Sequence, residues 1–544
     1  MKRRLLCLLL AVLLAIAPTG CKKNKDGSGG GFRFPIAAEP AGLDPQMAED
    51  DAAVTVLCAL FEGLTRLDNS GKAIPAAANW TVSEDGLTYT FTLYDSYWSK
   101  NPVKGETHPW DEPLPVTADD FVFGLHRIAD PATGSPLAEE LQGIRNAEAV
   151  TAGKMAVEEL GVTAVDDKTL TITLTAPDED FPEKLATSPF FPCHRAFFEY
   201  TAGRYGLEAK YLLTNGPFRL TEWDHGASLL LYKHEEYRDA AHIAPEAVRF
   251  VIGVDDPVEA LNSGDLSAAP LSAEQMGKVG KGVRTATLKD AVRSVWFNAS
   301  ADPLTVANVR CALRDSIQWD SVDAYLSEAG ETVAAGYVPP AATVNGEIYR
   351  RDDNSLPRAT DTEGAMSNLK AGLKILYPDG SGSPSRIRIE LLAADDPVNA
   401  DLARYILQSW QRNLGISVTL RLIPATELAR RVKSGNYQAA LYTHTPSGLT
   451  GAENLSSFAS AATDNLARLV DKKADAAIAA AKAGGREELK ALEQTLWELC
   501  PAIPIGFPCR YYGFAADTEG IVARPFGGGR YQSPLDFRSA KLWD

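Results

Sequence analysis

The sequence predicts an α/β fold, because strand-like and helix-like patterns alternate along almost its whole length. In residues 87–93, apolar side chains alternate with threonines, and this period of two is typical of a half-buried strand. In residues 402–414, apolar side chains recur at every fourth position, as on a helix with one face in the core. The 544 residues are 45% hydrophobic, so the chain can build two or three cores.

The stretch of residues 80–121 contains the clearest local signals. Residues 83–86 read Ser-Glu-Asp-Gly, a turn in which Gly86 is free to adopt a positive φ. Thr117 is a good N-cap, and the carboxylates that follow it fall in the first turn of a helix, where they complement the helix dipole. We therefore expect a turn, a strand and a capped helix in this order.

The same patterns predict further elements along the chain. Alternating apolar residues predict strands at 169–175, 227–232 and 248–254. Apolar stripes at helical spacing predict core-facing helices at 306–317, 402–414 and 489–499. Long irregular pieces, which are commonly functional loops or insertions, fall at 100–115, 334–356 and 445–457.

The N-terminus has the pattern of a targeting segment. A basic stretch and then 13 apolar residues end at Ala17, which is too short for a membrane span of about 20 residues. The following Pro-Thr-Gly-Cys has the form of a lipobox, although Pro18 stands where leucine is usual. We expect residues 1–20 to be a lipoprotein signal peptide, Cys21 to be lipidated and residues 21–31 to be a flexible tether. The alternative is ordinary secretion with an incidental cysteine.

The charge of the chain argues against nucleic acid as a partner. The formal net charge is −17, and removal of the three basic residues of the leader leaves about −20. After the leader and the lipidated cysteine are set aside, the remaining cysteines are too sparse for a disulfide scaffold. Cys500 and Cys509 flank a proline-rich stretch and could be bridged, but their spacing is not a zinc signature.

Motifs of catalysis are missing from the sequence. It contains no H-E-x-x-H, no G-x-S-x-G and no G-x-x-x-x-G-K-[ST] pattern. Paired carboxylates such as Asp119-Asp120 are expected in turns and caps, although a glycosidase could hold two carboxylates at any spacing. We therefore expect no catalytic residue, no metal and no cofactor, with a cell-surface hydrolase as the alternative class.

The order of several short motifs carries more information than any one of them. It closely resembles the peptide/nickel family of extracytoplasmic solute-binding proteins of ABC importers, over roughly 500 residues. Besides the 80–121 segment, the matching motifs are Glu39-Pro40, Leu43-Asp44-Pro45, Phe61-Glu62-Gly63-Leu64, Asp130-Pro131, Ser135-Pro136, Asn215-Gly216-Pro217-Phe218, Phe297-Asn298, Val309-Arg310 and Leu414-Gly415-Ile416.

The resemblance implies a periplasmic-binding-protein-like clamshell, in which two lobes close on a ligand and an additional domain is inserted. Lobe I would consist of residues 32–78, 212–295 and 506–544. The inserted domain II would hold residues 79–211, and lobe III residues 296–505. The protein would act as an extracytoplasmic monomer, anchored to the cell membrane by lipid, that delivers its solute to the transmembrane subunits of an ABC permease.

Two departures from the family pattern fall where the ligand is expected. Typical peptide binders of the family meet the ligand's α-ammonium with an aspartate in a segment like G-W-x-x-D-Y. The matching region, residues 437–449, lacks both the tryptophan and the aspartate. Leu137 follows Ser135-Pro136 where peptide binders often carry tyrosine.

These departures leave two interpretations of the cargo open. An extended peptide could be held by backbone pairing, with its ammonium met by a different acid. The cargo could instead be an N-blocked peptide, a metal chelate, an opine or a sugar. For either cargo, the candidate ligand-binding residues are Tyr442, His444, Thr445 and Ser447, with Trp296 and Asn298 on the facing strand and Leu137.

Overall fold

The computed structural model describes residues 31–544 with several gaps. The gaps are residues 69–71, 102–106, 180, 352–354, 447, 449, 463, 522, 527–530, 534, 540, 543 and 544. Ser447, Cys21, the predicted leader and nearly all of the predicted tether therefore lie outside the described residues. In the part of the chain that is described, no helix is both long enough and apolar enough to cross a membrane.

The strands are numbered in chain order. They are β1 (Gly31–Ile36), β2 (Thr65–Leu67), β3 (Ala73–Pro75), β4 (Ala78–Val82), β5 (Thr88–Leu93), β6 (Val162–Asp166), β7 (Thr169–Thr173), β8 (Phe218–Asp224), β9 (Ser228–Lys233), β10 (Ala247–Ile252), β11 (Ala268–Leu271), β12 (Arg284–Leu288), β13 (Val292–Phe297), β14 (Thr332–Val333), β15 (Thr343–Val344), β16 (Glu347–Ile348), β17 (Arg388–Ala394), β18 (Ser417–Ile423), β19 (Ala439–His444), β20 (Ala502–Phe507), β21 (Arg510–Phe514), β22 (Thr518–Glu519) and β23 (Lys541–Leu542).

The α-helices are numbered in the same way. They are α1 (Asp51–Leu60), α2 (Ala118–Ala129), α3 (Ala147–Thr151), α4 (Phe181–Lys184), α5 (Arg195–Thr201), α6 (Pro257–Ser263), α7 (Ala273–Met276), α8 (Ala307–Asp315), α9 (Trp319–Glu328), α10 (Thr362–Leu376), α11 (Pro397–Leu414), α12 (Ala425–Lys433), α13 (Gly451–Leu455), α14 (Lys472–Ala483) and α15 (Arg486–Leu499).

The larger sheets draw on separate parts of the chain. One four-stranded sheet has the order β1-β10-β9-β8, in which β1 and β10 are parallel. A second, antiparallel throughout, has the order β4-β5-β7-β6. A six-stranded mixed sheet has the order β14-β20-β13-β19-β17-β18, and a three-stranded sheet has the order β11-β21-β12. Strands β13 and β20 run across the predicted boundaries between lobes I and III, which fall after residues 295 and 505. The division into three domains stays a prediction.

The six-stranded sheet is covered on both faces. Phe297 belongs to a core cluster that contains Trp410 of α11, whereas the adjacent Trp296 belongs to another cluster that contains Phe458. Successive side chains of a strand point to opposite faces, so these two residues lie on the two sides of the sheet. Coverage on both faces explains why every residue of β13 and β20 is buried.

Most local expectations agree with the structure. Gly86 has a φ of 71°, and Thr117 begins α2 with a capping box that it forms with Asp120. The three predicted core-facing helices correspond to α8, α11 and α15, and each buries its apolar stripe. The predicted strands at 169–175, 227–232 and 248–254 correspond to β7, β9 and β10.

Two of the predicted irregular pieces contain regular structure. Residues 334–356 include the hairpin β15–β16, whose two-residue Asn345-Gly346 turn has positive φ angles of 52° and 78°. Asn-Gly is the favoured sequence for such a hairpin turn. Residues 445–457 include α13, which begins with a capping box between Thr450 and Glu453. Asn-Gly and the Thr-x-x-Glu pattern are local signals that predict these two elements.

The suggested bridge between Cys500 and Cys509 does not form. Both cysteines are unpaired, and the extended strand β20 separates them. Six residues of strand span roughly 20 Å, whereas the Cα atoms of a disulfide lie within about 7 Å. The proline-rich sequence between the cysteines forms a buried strand and not the turn that a bridge would need.

A candidate cleft site at the end of strand β19

The candidate site lies where β19 leaves the six-stranded sheet. β19 pairs antiparallel with β13, so that Tyr442 lies opposite Ser294 and His444 lies opposite Val292. The small and apolar first half of β19 is buried, whereas Tyr442, His444 and Thr445 are only partly buried. The strand therefore carries Tyr442 and His444 to one end of the sheet, and Thr445 follows directly after it.

Trp296 holds the aromatic part of the site together. Its indole Nε1 donates a hydrogen bond to the carbonyl oxygen of Tyr442 at 3.2 Å. Its ring stacks on Phe458, with ring centroids 5.4 Å apart, and meets the His444 ring edge-on at 5.7 Å. Aromatic contacts of this kind stabilise a structure by more than the burial of their apolar area alone. Trp296 is itself buried, so we infer that it positions Tyr442 and His444 and does not contact the ligand directly.

The two titratable side chains of the site have shifted pKa values. Burial lowers the pKa of His444 to about 4, and the positive charge of Lys433 acts in the same direction. The imidazole is therefore neutral at neutral pH and can offer one donor and one acceptor. Burial raises the pKa of Tyr442, and the negative charge of Asp51 contributes to that rise. Tyr442 consequently keeps its hydroxyl proton.

The other predicted residues lie in different surroundings. The Asn298 amide donates to the carbonyl oxygens of Gly435 (2.9 Å) and Tyr437 (3.0 Å), so its nitrogen holds the loop before β19. The backbone N–H of Ser300 donates to its oxygen. Leu137 is fully buried in the core cluster that also contains Phe121 and is not part of this group.

Charged residues from the first part of the chain interact with Tyr442 and with α13, the helix that follows β19. Lys72, in the β2–β3 hairpin, places its Nζ 3.0 Å from Oε1 of Glu453 on α13 and 3.8 Å from Glu183. Asp51, the first residue of α1, is exposed, and its negative charge contributes to the raised pKa of Tyr442. Segments of predicted lobes I and III thus meet here, as the two sides of a cleft would.

Sequence reasoning missed these facing residues. Asp51 looks like an ordinary first-turn carboxylate, and Glu453 looks like the last residue of a capping box. Neither pattern points to a partner hundreds of residues away. Among the described residues, no group of three or more His, Cys, Asp or Glu is arranged to hold a metal ion.

Comparisons with known proteins agree with this geometry. The family model described as "Bacterial extracellular solute-binding proteins, family 5 Middle" matches residues 74–465. The chain is 26% identical over 540 residues to the dipeptide-binding protein DppE of Bacillus subtilis (strain 168), covering 95% of this chain and 96% of that protein. It is 28% identical over 447 residues to the oligopeptide-binding protein OppA of the same organism, covering 77% of each.

A solved structure shares the fold over nearly the whole chain. The substrate-binding domain of an oligopeptide ABC transporter from Bacillus anthracis str. Ames has a TM-score of 0.70 and 26% sequence identity. The match covers 94% of this chain and 98% of that one. The predicted two-lobe α/β clamshell is thereby confirmed.

The chain belongs to the family 5 bacterial extracellular solute-binding proteins. Members of this family bind solutes and are not enzymes, so the hydrolase alternative is set aside.

Proposed function

We propose that the protein captures oligopeptides in the cleft between its lobes and delivers them to the transmembrane subunits of an ABC permease. Binding energy is used to close the lobes, so that the permease can distinguish the loaded from the empty receptor. No bond of the solute is made or broken.

The ion pair between Lys72 and Glu453 carries this proposal. It joins the first part of the chain to α13, the helix that follows β19 in the sequence. An extended peptide in such a cleft pairs its backbone with the chain and leaves its side chains in roomy pockets. The names of the relatives DppE and OppA, which are dipeptide- and oligopeptide-binding proteins, support the same class of cargo.

The ammonium of a bound peptide requires a partner in this cleft. Burial of a charge without a partner costs several kcal/mol, and residues 437–446 contain no acid. The negative charge of Asp51 raises the pKa of Tyr442, and the Asp51 side chain is exposed. We therefore assign Asp51 the role that the missing aspartate plays in typical peptide binders of the family.

We further propose that the protein is a monomer held at the outer face of the cell membrane through lipid on Cys21. The proposal rests on the basic and apolar leader, the lipobox-like residues 18–21 and the glycine-rich segment after them. A lobe-closing receptor on a flexible tether can reach the permease without a spanning helix of its own.

The test is to isolate the protein, identify the solute that co-purifies with it and measure binding of the same solute by calorimetry. We expect a short peptide, bound one to one and released unchanged. The ligand should raise the melting temperature by mass action and reduce the radius of gyration in solution scattering. A co-purifying sugar, opine or metal chelate would replace the peptide in this proposal, and turnover of the solute would refute it.

A further inference from the structure

Two cysteines that are distant in the sequence lie close together in predicted lobe III. Cys311 lies on α8 and Cys500 lies directly after α15, and both are free thiols in the structure. Cys311 Sγ lies 3.3 Å from the carbonyl oxygen of Glu498, and Cys500 Sγ lies 3.5 Å from that of Arg310. Each sulfur thus contacts the backbone one or two residues before the other cysteine, which places the two side chains close together.

The backbone at Cys500 gives a second, independent indication. Cys500 caps α15 with φ 48° and ψ 53°, in the left-handed region, and its N–H donates to the carbonyl oxygen of Leu496. Glycine is favoured at such a position because a β-carbon is strained there. A fully buried cysteine at this position indicates that its side chain is needed.

The two thiols differ in reactivity in the way that stepwise oxidation needs. Cys311 is partly exposed. The neighbouring Cys500 thiol lowers the pKa of Cys311 to about 7, and the positive charge of Arg314 acts in the same direction, whereas burial opposes both. Burial raises the pKa of Cys500 well above its usual range, and the neighbouring Cys311 acts in the same direction. The thiolate is the nucleophile in disulfide exchange, so Cys311 is the thiol that reacts first.

We propose that Cys311 and Cys500 form a disulfide that ties α8 to the end of α15 in the extracytoplasmic environment. The oxidant is a disulfide, RSSR, of the surrounding medium. The Cys311 thiolate attacks it and releases one RS⁻, which takes up the proton that Cys311 has lost. The Cys500 thiol then loses its proton, and the resulting thiolate attacks Sγ of Cys311 and releases the second RS⁻, which takes up that proton. Two thiols are oxidised and one RSSR is reduced to two RSH.

The bond would close a loop that contains most of lobe III. A long loop closed by a disulfide restricts the unfolded chain strongly, so the oxidised protein should be the more stable form. We expect its melting temperature to exceed that of the reduced protein by about 5 °C or more. Because the thiols belong to α8 and the end of α15 and not to β19, this inference does not depend on the identity of the cargo.

The experiment uses the full chain, oxidised with glutathione disulfide and then digested with trypsin without reduction. Cleavage after Arg310 and Arg314 yields a peptide with Cys311 alone, and the peptide 491–510 carries both Cys500 and Cys509. We expect a linked pair of peptides that is two hydrogens lighter than their sum. The matched variant Cys509→Ser should keep the link, which assigns it to Cys500.

Cys311→Ser should abolish both the link and the difference in melting temperature between oxidised and reduced protein. It replaces a partly exposed thiol conservatively, so it tests the inference even if Cys500→Ser does not fold. Alkylation of both Cys311 and Cys500 after oxidation would overturn the inference. A mixed disulfide that stays on Cys311, or a link between Cys500 and Cys509, would do so equally.

Discussion

The ammonium of Lys72 lies 3.0 Å from Oε1 of Glu453, although 381 residues separate the two in sequence. Burial opposes ionisation of Glu453, but hydrogen bonds from the Thr450 N–H and from Lys72 prevail and lower its pKa. The pair is therefore complete at neutral pH and is lost when acid protonates the carboxylate. The pair joins the β2–β3 hairpin to α13, and we propose that it forms when the lobes close.

The first prediction concerns this ion pair. Lys72 is about half exposed, at 51%, so the pair has the modest strength of a surface ion pair, about 0.2–1 kcal/mol. Lys72→Met should weaken ligand binding by up to about fivefold, mainly through faster release. Calorimetry at low and high salt should show the loss chiefly at low salt. Lys278→Met is the control, because it removes an exposed ion pair with Glu274, four residues earlier, and it should leave the affinity for the ligand unchanged. Equal effects of the two variants would argue against a closing contact.

The second prediction is a pH dependence of stability that comes from His444. The unfolded chain takes up a proton at this residue near pH 6.5, whereas the folded protein does so only near pH 4. Between these values the unfolded state binds more protons, so the free energy of unfolding falls as the pH falls. The loss reaches about 3 kcal/mol near pH 4.

Urea denaturation at pH 7 and pH 4.5 measures this difference. His444→Gln should flatten the dependence, whereas His242→Gln, at an exposed position with a side chain that is 80% accessible, should not. A variant of His444 with an unchanged slope would show that other groups cause the acid sensitivity.

The third prediction tests the partner of the peptide ammonium. A peptide with a free N-terminus should bind about tenfold or more tightly than its N-acetylated twin, because the buried ammonium is paired. Asp51→Asn should remove that preference. Asp119→Asn changes a carboxylate at a similar place in the first turn of α2 and should keep it. If the acetylated peptide binds as well as its twin in the unchanged protein, the cargo is not recognised by its amine.

The fourth prediction concerns the aromatic edge of the site. Tyr442→Ala and His444→Ala should each weaken binding by about 1–3 kcal/mol through lost stacking or hydrogen bonding. Calorimetry with the co-purifying solute measures this loss. Tyr232→Ala removes a tyrosine that is 40% exposed on β9 and serves as the control. Unchanged affinity in both cleft variants would move the binding site away from the end of β19.

The fifth prediction concerns the anchor. The mature protein should carry a diacylglyceryl group on Cys21, should partition into detergent and should resist washing with high salt, since two acyl chains hold a protein stably. Cys21→Ala should release the protein or stall its processing. Mass spectrometry that finds an unmodified Cys21 at the mature N-terminus would contradict the anchor.

Local signals in the sequence were sufficient for most elements of the fold. The alternation in residues 87–93, the cap at Thr117 and the stripe of α11 each depend on neighbours within a few positions of the chain. Backbone geometry converts such spacing directly into a face of a strand or a helix. The family motifs occur in order along almost the whole chain, and this order predicted the two-lobe clamshell.

Tertiary structure alone decided which side chains meet. Phe297-Asn298 lies in a motif that suggested a ligand contact, yet the Asn298 amide is occupied by the loop before β19. Cys500 lies beside Cys311 and not beside Cys509, because β20 extends between the two nearer cysteines. Lys72 reaches Glu453 because packing of the two parts of the chain brings a hairpin onto α13. Such partners are set by the packing of elements that are remote in sequence, and no local spacing encodes that packing.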